Sequence, residues 1–193
     1  MKYSKEEITA FFRSLDRGRY MDDYKDAANM DRPFPIGHGQ TISQPSLVLN
    51  MTLHLDLEND SKVLEIGTGS GFQTALLAKF SKNVYTVERI ETLHNKARER
   101  LDKEGYTNIH FHLGDGSQGW EENAPYDRIM VTAAAEKLPE TLISQLAPEG
   151  KMIIPVGGTF SQELRLLEKD RDGNIQTTLL EHVRFVRLGK DTD

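Results

Sequence analysis

The chain has 193 residues, of which 37% are hydrophobic and 28% charged, with a formal net charge of −6 and no cysteine. That length suits one domain with a sizeable core, and no stretch approaches the roughly 18 consecutive apolar residues of a membrane span. Lack of cysteine excludes disulfides, thiolate metal sites and a cysteine nucleophile, and the acidic balance argues against a nucleic-acid partner, whose phosphates are held by clustered Lys and Arg.

The opening MKYSKEEITAFF has no apolar run behind its basic residue, so no secretory signal is predicted and a cytoplasmic location is expected. Ser4 and Glu7 have capping-box spacing, and Ile8, Phe11, Phe12 and Leu15 recur at helical spacing, which predicts an amphipathic helix over 5–16. A polar loop is expected through DRPFPIGHGQTIS. Pro45 suits the first turn of the next helix, whose Val48, Met51, Thr52 and Leu55 share one face.

From Lys62 the period changes. KVLEIG, NVYTVE, NIHFHL, YDRIMVT and GKMIIPV read as strands, and helical patterns GFQTALLAKF, IETLHNKARERLDKEG and LPETLISQL stand between them. Alternating strands and helices imply parallel strands with right-handed crossovers and helices on both faces, a doubly wound α/β domain. QELRLLEKD, the turn DRDG and NIQTTLLEHVRFVRL then read as an antiparallel hairpin at one sheet edge, giving a mixed sheet of about seven strands.

In such sheets the ligand sits beyond the carboxyl ends of the strands where their order reverses, so the first strand-to-helix turn is the place to look for chemistry. That turn is Glu65-Ile66-Gly67-Thr68-Gly69-Ser70-Gly71. It lacks the third glycine spacing of a dinucleotide site and the Gly-Lys-Ser/Thr of a phosphate loop. Its E-x-G-x-G-x-G form resembles the first motif of S-adenosylmethionine-dependent methyltransferases, and implies a turn, with Gly67, Thr68, Gly69 and Gly71, bent around the donor's amino acid end. Glu65 would orient the donor's ammonium through the loop or water. Glu88 closes the second strand, about 20 residues on, where a carboxylate suits a ribose's paired hydroxyls. Gly114-Asp115-Gly116 follows the third strand, with Asp115 placed for an adenine amino group and Gly116 passing beneath the ring. Each acid alone could equally be a solvated strand-end carboxylate; three at consecutive strand ends point to a ligand.

After the fourth strand stands Val131-Thr132-Ala133-Ala134-Ala135, with no group to hold an exocyclic amine, and no G-x-S-x-G elbow marks Ser43 as an acyl-enzyme nucleophile. With little general-base machinery on offer, the simplest acceptor is one already nucleophilic at neutral pH, such as a carboxylate.

PIGHGQTISQP, VLEIGTGSG, GDG, YDRIMVTAA, IPVGG and VRFV, in this order and from about Pro33 to Leu188, resemble the protein-L-isoaspartate O-methyltransferase family. The resemblance implies a repair enzyme that methylates the α-carboxylate of isoaspartyl residues in damaged proteins. It further implies that Thr41, Ile42, Ser43 and Gln44 fold over the donor, and that the Ser43 hydroxyl lies between donor and acceptor. Ile42, Ser43, Val183, Phe185 and Val186 would meet the isoaspartyl peptide, the last three by strand addition. One domain over 1–193 is expected, with residues 1–58 contributing the substrate lid, working as a monomer without nucleic-acid or membrane partners. The bland alternative for Ser43 is a cap on the helix that starts near Pro45.

Where many members carry V-P-R-x-x-F, Ala-Tyr and V-P-L, this chain reads SLDRGRYM, Ala28-Asn29 and Val186-Arg187-Leu188. These departures leave two other readings open: a methyltransferase for another carboxylate or small molecule, and a catalytically silent binding relative. His110 and His112 share a strand face but lack a third ligand, so no metal is assigned. Trp120 is expected to pack beside the adenine-side loop, and KARERLDKE to be a solvated helix face.

Overall fold

The computed structural model describes residues 1–189 of the chain. Helix α1 (Lys5–Ser14) starts at the predicted capping box: the Ser4 hydroxyl accepts from the Glu7 N–H at 3.1 Å, and the Glu7 carboxylate accepts from the Ser4 N–H at 2.8 Å. It ends two residues before the predicted limit, because Leu15 turns to extended backbone. Ile8 is buried, and Phe11, Phe12 and Leu15 pack against the same core.

The expected polar loop is more ordered than its composition suggests. It holds a two-stranded antiparallel hairpin, β1 (Phe34–Gly37) and β2 (Gln40–Ile42). Phe34 and Ile42 are partners across the ladder and both are only 3% exposed. That buried pair anchors the hairpin, and two apolar residues eight apart in a Gly- and Pro-rich stretch carry no visible period. Helix α2 (Pro45–Leu55) follows with Pro45 in its first turn and Val48, Met51, Thr52 and Leu55 as its buried face, as the pattern predicts.

The main sheet contains β3 (Lys62–Ile66), β4 (Asn83–Glu88), β5 (Ile109–Leu113), β6 (Tyr126–Val131), β7 (Leu146–Gly157), β8 (Gln162–Lys169) and β9 (Ile175–Val183), in the order β5-β4-β3-β6-β7-β8-β9. The first five strands pair in parallel, and β7, β8 and β9 pair antiparallel. The seven-stranded mixed sheet with its C-terminal hairpin is as the sequence predicts, except that β9 ends at Val183, five residues before the predicted limit, and β7 begins at Leu146, four residues before the predicted start. Between strands lie α3 (Phe72–Lys79), α4 (Glu91–Lys103) and α5 (Glu140–Ser144).

Successive strand residues point to opposite faces, which divides the core in two. Val63, Val84, Met130 and Ile153 join Leu55, Leu76 and Leu77 from α2 and α3 on one face. Leu64, Ile66, Ile129, Met152 and Ile154 join Leu142 of α5 on the other. Both faces are covered, so the strands read as near-continuous apolar runs. The chain leaves β3 towards β4 on one side and arrives at β6 on the other, and this reversal opens a crevice at their carboxyl ends.

Candidate active site

The turn after β3 is built around a close approach. Gly67 has φ +95°, and a Cβ there would stand 2.4 Å from Thr132 Oγ1. The Thr132 hydroxyl donates to the carbonyls of Ile66 (2.9 Å) and Gly67 (2.7 Å), so the loops after β3 and β6 are tied together and that hydroxyl is committed. Glu65 is fully buried beneath the turn and does not line the crevice. Its Oε2 accepts from the Thr74 and Thr86 hydroxyls, each at 2.6 Å, and Oε1 has no partner. Burial, aided by the neighbouring Glu88 charge and opposed by the two hydroxyls, pushes its pKa up to about 8. Because Thr86 donates to Glu65, the 2.6 Å contact between Thr68 and Thr86 is a bond donated by Thr68, and Glu65 communicates with the turn through these two hydroxyls.

Glu88 ends β4 with its carboxylate at the rim of the crevice, only 6% exposed. Its oxygens accept from the Gly69 N–H (2.9 Å) and the Ile90 N–H (3.0 Å). Each oxygen keeps a second lone pair for a ligand hydroxyl. Gly116 lines the crevice from the far side, and a Cβ on it would be 2.4 Å from Ile66 Cγ2. Asp115 is exposed, outside the crevice lining, and accepts from the Ser117 N–H at 3.0 Å. Gly71 is likewise outside it, packed against Leu101 as the N-cap of α3. These features fit a nucleoside carrying an amino acid arm: a crevice at the strand tips, backbone passing close on two sides, and a carboxylate at the ribose position.

A second cavity, of about 890 Å³, adjoins the first. Thr41, Ser43, Thr132, Phe185 and Val186 line both, so Ser43 stands at the junction. Ile42 faces the donor crevice, whereas Gln44 and Val183 line only the second cavity. Gln44 therefore does not share the crevice wall with Thr41 and Ile42: its amide donates to Asp31 Oδ2 (2.9 Å) and Ser46 Oγ (3.0 Å). Ser43 is not the helix cap either. Gln44 occupies that position without a side-chain cap bond, and among the described residues the Ser43 hydroxyl makes no hydrogen bond.

Arg187, at the departure near the C-terminus, pairs with Glu136, while Ala134 N–H donates to Val186 O (2.7 Å) and Leu188 N–H to Ala134 O (2.8 Å). The substituted residue thus keeps its strand-like pairing and adds a cation to the crevice wall. The other departure, SLDRGRYM, retains an arginine that sequence reading passed over: Arg17 is buried and bonds the carbonyl of Ser43. Gln73, whose amide donates to Thr52 Oγ1 at 2.9 Å, also lines the crevice; its place on a buried helix gave no signal of this. Trp120 stacks on His112 (4.8 Å) and meets Tyr85 edge-on, and His110 stacks on Tyr85. On α4, Lys103 pairs with Glu99 and Arg98 with Asp102 in the solvent, as expected. No helix among the described residues is long and apolar enough to cross a membrane.

Residues 2–193 match the profile of the family described as Protein-L-isoaspartate(D-aspartate) O-methyltransferase (PCMT). The chain is 50% identical over 185 residues to Protein-L-isoaspartate O-methyltransferase 2 of a Polaromonas species, a match covering 95% of this chain and 88% of that one. It is 49% identical over 183 residues to Protein-L-isoaspartate O-methyltransferase 1 of Nitrosospira multiformis, covering 94% and 78%. A Plasmodium falciparum structure named beta-aspartate methyltransferase (PCMT), solved in complex with S-adenosyl-L-homocysteine, superposes with a TM-score of 0.83 at 29% identity, over 96% of this chain and 91% of that one. With nearly the whole chain matched in sequence and in fold, it belongs to the protein-L-isoaspartate(D-aspartate) O-methyltransferase family.

Proposed function

We propose that the chain is a protein-repair methyltransferase that moves a methyl group from S-adenosylmethionine to the α-carboxylate of L-isoaspartyl residues. The observation that carries this reading is Ser43, which lines both cavities and whose hydroxyl has no hydrogen-bond partner among the described residues. The family's name for its members and the fit of the crevice to a nucleoside with an amino acid arm support it.

The turn from Gly67 to Ser70 would hold the donor's amino acid end, Glu88 its ribose hydroxyls and Gly116 its base. When bound, S-adenosylmethionine supplies a methyl group on a positively charged sulfur, an electrophile that an ionised carboxylate attacks without a general base. The chain's own task is then orientation. Ser43 donates its proton to one oxygen of the acceptor carboxylate and leaves the other aimed at the crevice. Val183 to Val186, continuing from edge strand β9 along the second cavity, would receive an extended peptide through the main-chain groups left over, since the Phe185 N–H and carbonyl are held by the Gln162 side chain and the Val186 carbonyl by Ala134. Ile42, Phe185 and Val186 exclude water around the reacting pair, which strengthens the attraction of unlike charges and removes competing solvent.

We place residues 1–58 in the same domain as the sheet, as its lid-bearing part. We further infer that the chain works as a monomer in the cytoplasm, a compartment that its cysteine-free sequence fits.

Two outcomes are expected. Purified protein transfers labelled methyl to an isoaspartyl peptide and not to its aspartyl twin; equal labelling of both would remove the specificity. Glu88→Ala weakens binding of S-adenosylhomocysteine roughly tenfold, measured by titration calorimetry, since hydrogen bonds to a charged group contribute about 1.5 kcal/mol or more. An unchanged affinity would take Glu88 out of the donor site.

A further inference from the structure

We propose that Arg17 and Asp31 are positioning residues for Ser43, clamping its backbone from both sides so that its hydroxyl is aimed before any ligand arrives. This rests on the methyl-transfer reading above and extends it to two residues outside both cavities.

Arg17 is only 5% exposed, and every hydrogen bond of its guanidinium goes to a main-chain carbonyl. Nη1 donates to Ala28 (3.0 Å) and Met30 (3.3 Å). Nη2 donates to Arg32 (2.9 Å) and Ser43 (3.0 Å), with Ile42 at 3.5 Å. Among the described residues no carboxylate bonds it; burial lowers its pKa, against the weaker attraction of Asp31. The Phe34 ring lies against it at 5.4 Å and against Arg32 at 4.7 Å. A buried cation with no carboxylate bonded to it among the described residues is costly. What it gains is reach: a planar fork with several donors joins two segments, 28–32 and 42–43, that no neutral side chain of one or two donors could join.

Asp31 fastens the other side. Its Oδ1 accepts from the Ser46 N–H at 2.8 Å and its Oδ2 from Gln44 Nε2 at 2.9 Å, bonds that hold its pKa below the usual carboxylate range. Helix α2 thus receives a cap on its first turn from a residue 15 positions away, since Gln44 at its N-cap makes no side-chain cap bond. Ser43 stands between the two fastenings, its carbonyl on Arg17 and its following residues on Asp31. With no bond on the hydroxyl among the described residues, the backbone sets where Cβ stands and so which few staggered positions the hydroxyl can take.

The test uses the full chain with Asp31→Ala, a change at an exposed residue that keeps the core intact. The expected result is a roughly tenfold fall in kcat on an isoaspartyl peptide, a loss of the kind small misplacements of a reacting group produce. S-adenosylhomocysteine affinity and thermal midpoint should stay near wild type, and amide exchange should quicken at residues 42–47 but not in β3 or β4. Asp31→Asn, which keeps one acceptor oxygen, should recover part of kcat, and Arg17→Lys, whose ammonium cannot span both segments, should lose kcat as well. If wild type turns over and Asp31→Ala matches it, or loses kcat without faster exchange at 42–47, the positioning role is overturned alone. If wild type transfers no methyl to the peptide, the reading above falls and the role with it.

Discussion

Replacing Ser43 by alanine is expected to slow methyl transfer to an isoaspartyl peptide by roughly 10- to 100-fold, the loss of one hydrogen bond to a charged oxygen worth about 1.5–3 kcal/mol. Ser43 lines both the donor crevice and the second cavity, and among the described residues its hydroxyl makes no hydrogen bond, so its removal leaves no buried partner stranded there. Fold and thermal midpoint should therefore hold. Since the bond is made to the acceptor, donor affinity should change little while kcat falls. Steady-state kinetics with titration of S-adenosylhomocysteine separates these quantities. A variant with wild-type kcat would show that the acceptor carboxylate is aimed by some other group.

Glu65→Gln is expected to flatten the pH dependence of stability. The wild-type carboxyl binds its proton more tightly folded than unfolded, with its pKa raised from the ordinary 4.5 to about 8 by burial. Its contribution is therefore complete below the unfolded value and is lost as pH rises through the folded one. Over that interval wild type should lose up to about 5 kcal/mol from this group, at roughly 1.4 kcal/mol for each tenfold difference in proton affinity. Glutamine has no proton to lose. Its carbonyl still accepts from Thr74 and Thr86, although its amide meets the place where Glu65 Oε1 has no partner. The variant should thus be somewhat less stable than wild type near pH 5 and more stable near pH 8.5. Denaturant midpoints of both proteins at the two pH values measure the difference, and parallel slopes would show that Glu65 is ionised throughout.

Much of the architecture was legible because it rests on local rules. Capping at Ser4, the buried face of α2, and the β-rich runs from Lys62 to Val156 each follow from spacing within a few residues, and each stands where the pattern put it. The glycine turn was legible for a similar reason, since a turn that must pass close to Thr132 tolerates no side chain at Gly67. The hairpin of Phe34 and Ile42 was not legible. Its stability comes from a core lying mostly elsewhere in the chain, and its own composition reads as loop.

The sequence by itself determined the doubly wound sheet, the donor turn and the family, because periodicity, turn chemistry and motif order are written in contiguous residues. Only the tertiary structure decided which predicted residues share a wall. It moved Gln44 to the second cavity, turned Asp115 aside onto its own turn, and put Glu65 beneath the loop. It alone revealed Arg17 and Asp31 around Ser43, because a side chain's bonds to carbonyls and amides depend on where distant backbone lies, and the backbone's polar groups are the same for nearly every residue type.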